Sequence, residues 1–377
     1  MVLDKIYINQ FRNYDSLELH FHKGINIIYG ENAQGKTNLL ESIYVLALTK
    51  SHRSFIDNHL IQSGKKNSKI RGVLLKDQLP MQLEIAISNK NKKIKLDHQE
   101  IKRVSDYISK MNIIIFYPED LDLIKGAPGL RRRYLNSEIS QLSSNYLNTY
   151  SEYNKILKIR NDYLKKLNKG VIIDNSYFDI LTQYLVDKAV LIYQERKRFI
   201  EQINHHGKEV FFRLSGRKGF QIKYKTSVAF GDDDNDCMKQ ALLEKLGKMR
   251  DTEIKLGMTL VGPHRDDFEF YVDEQNLKLF GSQGQQRMAI LALKLSEIDI
   301  FKEFKNTTPI LLLDDVFSEL DDNKKNNLLF YMNQDIQTII TTTDLKNIDS
   351  EILKKSQLIH ICDGKIVEIQ EEEVYGK

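Results

Sequence analysis

Gly30-Glu31-Asn32-Ala33-Gln34-Gly35-Lys36-Thr37 is the stretch that decides the fold. Before it lies a short apolar run, Ile25 to Tyr29, that predicts a buried strand. After it, from Thr37 to about Thr49, Leu39, Leu40, Ile43, Leu46 and Ala47 recur at helical spacing. The pattern G-x-x-x-x-G-K-[ST] set between a strand and a helix is a P-loop. Its chemistry needs these residue types. Gly30 and Gly35 let the backbone wrap around a phosphate, and the N–H groups of Glu31, Asn32, Ala33 and Gln34, with those opening the helix up to Asn38, point at it. Lys36 is placed to reach the β- and γ-phosphates of ATP, and the Thr37 hydroxyl to ligate Mg²⁺.

Farther along, Ile310-Leu311-Leu312-Leu313-Asp314-Asp315 reads as a buried strand ending in two carboxylates, a Walker B motif. Asp314 is expected to hold Mg²⁺ through water and Asp315 to polarise the attacking water. With Lys36 they make the expected catalytic set, and they point to hydrolysis rather than binding alone. Ser282-Gln283-Gly284-Gln285-Gln286-Arg287 precedes a helix expected to begin near Met288, and it resembles the ABC signature motif. In that motif the Ser hydroxyl and Gly backbone bind the γ-phosphate of a nucleotide held by another subunit. Ser282, Gly284 and Gln285 are therefore expected to contact ATP in trans, joined by Asp321 of Ser318-Glu319-Leu320-Asp321, which looks like a D-loop. P-loop kinases and GTPases lack the signature. With P-loop and signature in one chain, ATP would be clamped in a head-to-tail homodimer, and hydrolysis would let the two copies part.

The rest of the chain shows how these pieces are carried. The first 30 residues alternate like two strands and a turn, with Leu17, Leu19 and Phe21 on one face, and residues 68 to 104 read as hairpins. After Pro118 the texture becomes helical. Leu135, Ile139, Leu142, Tyr146, Tyr153, Ile156 and Leu164 predict one long helix over 131–167, and Ile180, Leu181, Tyr184, Leu185 and Ile192 a second over 177–214. Asn168-Lys169-Gly170 is the turn between them. Strands return at Phe268–Val272, Ile310–Leu313, Thr338–Thr342 and Gln357–Ile361. The expected organisation is an ATPase head built from residues 1–117 and 216–377, with a helical arm, 118–215, inserted between its halves. The expected fold class is α/β: a head that resembles Rad50-like ABC ATPases, with mixed sheets around a P-loop, plus the inserted α-helical arm domain.

Composition narrows the class further. In 377 residues, 41% are hydrophobic and 29% charged, as in a soluble globular protein. No apolar run approaches the ~20 residues that span a bilayer. The N-terminus, Met1 to Ile6, is an amphipathic strand rather than a signal peptide, so a cytoplasmic location is expected. The only cysteines, Cys237 and Cys362, exclude a disulfide framework and a cysteine zinc site. The acidic loop Gly231 to Asp236 lacks the spaced ligands of a calcium site. Net charge is +4, and the basic residues are clustered. Lys65, Lys66, Lys90, Lys92 and Lys93 lie on hairpins of the first lobe, where they either line a DNA groove or form solvated faces. Arg131, Arg132 and Arg133 open the arm, where they either contact DNA or brace the arm against carboxylates.

Four further stretches carry a family resemblance: Phe11-Arg12-Asn13-Tyr14; Ser51-His52-Arg53-Ser54; Pro118-Glu119-Asp120-Leu121 with Lys125-Gly126; and Gly262-Pro263-His264-Arg265-Asp266-Asp267. A split ABC head with these stretches resembles the RecF family within the SMC/Rad50/RecF group, over roughly residues 1 to 345. The arm is too short for the long coiled coil of Rad50 and SMC proteins. The resemblance implies a bacterial recombination mediator in DNA repair. It would bind ATP and Mg²⁺, bind double-stranded DNA beside single-stranded gaps, hydrolyse ATP weakly with DNA stimulation, and work with RecR and RecO to load RecA. An SMC-like structural clamp without a mediator role is the alternative, and a transporter ATPase or P-loop kinase fits the motifs less well. Arg12 either reaches the nucleotide or caps its turn, and His264 reads as structural rather than catalytic. Asp315 replaces the Glu of many ABC ATPases, a shorter reach that suits slow turnover, and the switch position falls at Thr343 or Asp344.

Overall fold

Ile25–Tyr29 (β3) has a near-continuous buried run because it is an inner strand of a six-stranded sheet, covered on both faces. The sheet order is β15 (Lys365–Gln370), β14 (Ser356–Cys362), β3, β13 (Thr338–Thr342), β12 (Ile310–Asp314) and β8 (Ile113–Phe116). All pairs are parallel except β14 with β15, which form an antiparallel hairpin. Because β3 and β12 run in the same direction on either side of β13, the P-loop and the paired aspartates leave the sheet at one end.

A second six-stranded sheet, entirely antiparallel, has the order β2 (Tyr14–His20), β1 (Val2–Phe11), β4 (Asn67–Lys76), β5 (Leu79–Ser88), β6 (Lys92–Leu96) and β7 (Gln99–Glu100). The P-loop helix, Lys36–Leu48 (α1), packs on strands of both sheets, which is why it is buried nearly all round, Glu41 and Ser42 included. Gly72 of β4 faces its Leu46, and a Cβ there would come within 2.4 Å of that side chain.

The computed structural model describes residues 1–54, 56–171, 174–231, 234–319, 325, 328 and 336–370. They group into two units: 1–120 with 213–215 and 291–377, and 121–212 with 216–290. The first unit holds both six-stranded sheets. The second is built on Pro128–Leu142 (α2), Ser144–Asn168 (α3), Asn175–Ser215 (α4) and Asn235–Leu256 (α5), with a three-stranded sheet of β11 (Gln275–Asn276), β10 (Asp267–Val272) and β9 (Gln221–Lys225).

Two of these elements differ from expectation. The apolar spacing predicts one helix over 131–167, but Ser143 breaks it: its hydroxyl accepts from the Tyr146 N–H and caps a new helix. Residues 216–290, expected in the head, group with the helices instead, and buried polar contacts give the reason. Arg160 of α3 is fully buried and donates to Glu253 of α5 at 2.8 Å, to Thr182 at 3.0 Å and to Thr259 at 2.7 Å. Arg196 of α4, also fully buried, donates to Pro263 O at 2.7 Å, to Asn136 at 2.9 Å and to the Tyr146 and Tyr224 hydroxyls at 3.2 Å. Removing a partner from such a site would strand a buried charge, so these contacts fix the packing strongly. Among the described residues, no helix is long and apolar enough to cross a membrane.

Candidate functional site

The P-loop turns on left-handed backbone. Gly35 sits at φ 115°, and a Cβ there would fall 2.6 Å from the Asn13 side chain. Gly30, at φ 150°, passes so close to Ile361 that a Cβ would lie 2.3 Å from its carbonyl oxygen. No side chain caps the start of α1, so its first N–H groups remain available to an anion. The loop is gripped from two directions. Asn13 donates to Gln34 O at 3.2 Å and the Tyr14 hydroxyl to Gly35 O at 3.0 Å, while from the β14–β15 turn Asp363 N donates to the Gln34 amide oxygen at 2.6 Å and Gly364 N to Gln34 O at 3.0 Å.

Lys36 folds back onto the loop, donating to Gly30 O and Glu31 O at 2.7 Å each. Burial lowers the pKa of its ammonium against the pull of Asp315 and Asp314. The Thr37 hydroxyl donates to Asp314 Oδ1 at 3.0 Å, and Thr341 Oγ1 of β13 donates to the same oxygen at 2.6 Å. Thr341 Oγ1 also accepts from the Asp315 N–H at 3.1 Å, so one hydroxyl sets both aspartates. Asp315 itself lies at φ 53°, a turn that redirects its side chain off the strand. Burial raises the pKa of Asp314, against the bonds from Thr341 and Thr37. A desolvated carboxylate converging with a threonine hydroxyl is a donor set of hard oxygens. It suits Mg²⁺, which keeps several of its own waters. No group of three or more His, Cys, Asp or Glu able to hold a metal occurs among the described residues, and Asp232 and Asp233 of the acidic loop lie outside them.

The signature turn is equally well made. Its helix, Gln283–Lys305, begins five residues earlier than expected because Ser282 caps it: Gln285 N donates to Ser282 Oγ at 3.3 Å, and Ser282 N to the Gln285 side chain at 2.9 Å. This reciprocal capping box fixes the turn. Ser282 and Gly284 are exposed, and nothing lies near the position of a Gly284 Cβ, leaving the Gly284 backbone open to an anion. Gln286, buried beneath, donates to Leu277 O at 2.8 Å. Asp321 and Leu320 of the expected D-loop lie outside the described residues.

Other expected site residues are already committed. Arg12 grips Glu41 of α1 through two nitrogens, at 2.8 and 2.7 Å, and donates its third to His59 O at 2.8 Å. Glu41 is fully buried and also accepts from Ser51 Oγ at 2.5 Å. Burial pushes its pKa up, but the bonds from Arg12 and Ser51 and the nearby Arg53 hold it below the ordinary carboxylate range. Asn38 donates to Asn13 at 2.9 Å and accepts from Arg53 at 3.0 Å. Of the two switch positions, Thr343 is exposed and Asp344 caps the following turn, accepting from Lys346 N at 2.8 Å.

Both ring nitrogens of His264 are engaged within the second unit. Its Nε2 donates to Thr259 O at 3.1 Å, which leaves Nδ1 to accept from the Tyr153 hydroxyl at 2.6 Å. Burial lowers its pKa to about 4.

The basic candidates separate. Arg131 corrects the DNA expectation: it is buried and donates to both oxygens of Asp267, at 2.6 and 2.8 Å, so it braces the helical unit. Arg132 donates to Asp266 O at 2.8 Å, and Arg133 is exposed. Lys92 is likewise engaged, at 2.6 Å from both Asp57 and Thr49 O. Lys65, Lys66, Lys90 and Lys93 are exposed, with Asp15 3.7 Å from Lys65.

The residues missed in the sequence were supporting ones: Thr341, Glu41 and Arg53. The hydroxyl run Thr341-Thr342-Thr343 at the end of a strand beside the aspartates was the one available signal.

A P-loop and a strand ending in paired aspartates occur in many nucleotide enzymes, but only ABC-type ATPase heads add a capped signature helix in the same chain. That class is met here, and the model of the RecF/RecN/SMC N terminal domain matches residues 2–361. The DNA replication and repair protein RecF of Listeria welshimeri is 44% identical over 367 residues, covering 97% of this chain and 99% of that one. Its counterpart in Bacillus subtilis is 42% identical over 369 residues, covering 97% and 100%. A solved structure of the recombination mediator protein RecF with ATP matches with a TM-score of 0.91 at 32% identity, covering 98% and 97% of the two chains. An Smc head domain from Pyrococcus furiosus shares the fold alone, with a TM-score of 0.53 at 17% identity and coverage of 97% and 95%. The chain belongs to the RecF family of DNA replication and repair proteins.

Proposed function

We propose that this chain is an ATP-dependent recombination mediator that binds DNA as a head-to-tail dimer and releases it on hydrolysis. ATP would lie along the P-loop, with its phosphates against the open N-terminus of α1 and Lys36 turned outward to the β- and γ-phosphates. Thr37 and Asp314 would hold Mg²⁺, which when bound neutralises the developing phosphate charge. Asp315 orients the attacking water. Ser282, Gly284 and Gln285 would complete the γ-phosphate site of a second copy, with Asp321 beside them. RecF structures solved in the RecFOR pathway support extending the partnership to RecO and RecR, and through them to RecA loading on gapped DNA.

The observation that carries this proposal is the Ser282 turn: a preformed, exposed capping box at a helix N-terminus. Its test is ATP turnover with and without gapped duplex DNA. DNA should accelerate turnover, and Asp315→Asn should keep the protein on DNA after ATP is added, where the wild type dissociates. Turnover indifferent to DNA, with equal dissociation of both proteins, would refute the proposal.

A further inference from the structure

The antiparallel sheet of the first unit has two unlike faces. Ile6, Ile8, Ile70, Leu74, Leu83 and Ile85 make one face, and all are buried. The other face carries cations in register. Tyr7 of β1 stands opposite Arg71 of β4, Arg71 opposite Glu84 of β5, and Glu84 opposite Lys95 of β6. One step along, Asn9 stands opposite Lys69, Lys69 opposite Ala86, and Ala86 opposite Lys93. Strand alternation adds Lys5 to the same face as Tyr7.

These cations are held rather than loose. Lys5 Nζ lies 4.5 Å and Arg71 Cζ 4.8 Å from the centre of the Tyr7 ring. Lys5 also pairs with Glu18 of β2. Glu84, its side chain 9% exposed, is 2.9 Å from Lys69 and 3.8 Å from Lys95. One carboxylate thus anchors two lysines with an arginine opposite it, and the neighbourhood keeps excess positive charge. The excess continues at the end of the sheet where β4 begins and β5 turns into β6, through exposed Lys65, Lys66 and Lys90.

We propose that this face, centred on Lys5, Tyr7, Lys69 and Arg71, is a platform for the phosphate backbone of double-stranded DNA. The proposal rests on the DNA-binding function proposed above and gives it a surface. Cations on neighbouring strands lie about 4.8 Å apart and alternate residues along a strand about 6.7 Å apart, a fixed two-dimensional grid that suits a stiff polyanion. Tyr7 holds two cations over its ring, so it acts as a prop for charge rather than as a stacking platform for a base. Recognition should therefore be independent of sequence and weaken steeply with salt.

The test uses the full chain with ATP and Mg²⁺, and fluorescence anisotropy of a labelled duplex over a series of salt concentrations. Lys5→Gln, Lys69→Gln and Arg71→Gln are combined in one variant, and nucleotide binding is followed as a check that its P-loop unit is folded. The expected result is at least a roughly tenfold loss of duplex affinity, with the slope of log K against log salt shallower by about one per contact removed. If the wild type binds no duplex, the proposed DNA function fails, and this surface with it. If the wild type binds and the variant matches it in affinity and slope, only the surface is wrong. Intact duplex binding with loss of an acidic protein partner would overturn the platform in favour of a protein contact. If the triple variant fails to bind nucleotide, Lys69→Gln alone is compared with the wild type: a slope shallower by about one supports the surface, and an unchanged slope and affinity overturn it.

Discussion

Replacing Arg12 by Gln separates two roles that the sequence left open. Arg12 spends all three nitrogens within the protein, two on Glu41 and one on His59 O. Glu41 has no access to solvent. Removing one partner of a buried ion pair costs about 3–5 kcal/mol, because the remaining charge is left without water. Here the Arg12 side chain is 22% exposed, and Glu41 would retain Ser51 and, at 3.6 Å, Arg53. The expected cost is therefore at the low end, about 3 kcal/mol. Equilibrium unfolding in urea measures it. In a double-mutant cycle with Glu41→Gln, the two changes together should cost less than their sum by about 2 kcal/mol. Affinity for ATP should change by less than about threefold, since all three nitrogens of Arg12 are already held by Glu41 and His59 O. Unchanged stability with a tenfold or greater loss of ATP affinity would show that Arg12 is a nucleotide ligand, and the assignment of the Arg12–Glu41 pair as a brace would be wrong.

Other outcomes follow from the same geometry. Asp314→Asn should lower ATP turnover by at least about 100-fold. It should also stabilise the free protein: burial raises the pKa of Asp314, so the folded state holds the charged form less readily than the unfolded chain at neutral pH. Turnover lost with no gain in urea midpoint would contradict that trade. His264, with its pKa lowered to about 4, should contribute stability that is fully present above about pH 6.5 and is lost as pH falls toward 4. The loss is up to about 3 kcal/mol, and His264→Gln should flatten the dependence of unfolding on pH in that window. Asp120 acts with the opposite sign: it is buried beside Lys294, and burial raises its pKa to about 6. The comparison of variant with wild type, rather than the wild-type curve alone, isolates the histidine.

The parts of the fold legible in the sequence were those set by local pattern. The strand Ile25–Tyr29, the glycine loop and the apolar stripe of α1 each announce themselves, because a buried parallel strand and a two-sided helix leave little freedom in residue type. The strand at Ile310 was equally plain, and both ends of the head could be paired through it. Long-range polar contacts were not legible. Arg131 in a triplet of arginines looks like a surface charge until Asp267, far along the chain, closes on it. Ser143 carries no periodic signal, so the split of one predicted helix into two was invisible. The helix Asn235–Leu256 was missed because its buried positions Met238, Leu242 and Leu246 are few amid charged residues. In the candidate site, residues that touch phosphate in a P-loop follow from the motif, whereas those that aim them, such as Thr341, depend on which strand lies next to which.

The central claim is that ATP joins two copies of this chain through the signature turn. The mass of the full chain in solution, measured by light scattering with and without ATP and Mg²⁺, tests it beside Lys36→Arg and Ser282→Arg. The account predicts that ATP doubles the mass of the wild type and of neither variant. A mass indifferent to ATP, with hydrolysis still running, would contradict it and leave a monomeric P-loop enzyme in its place.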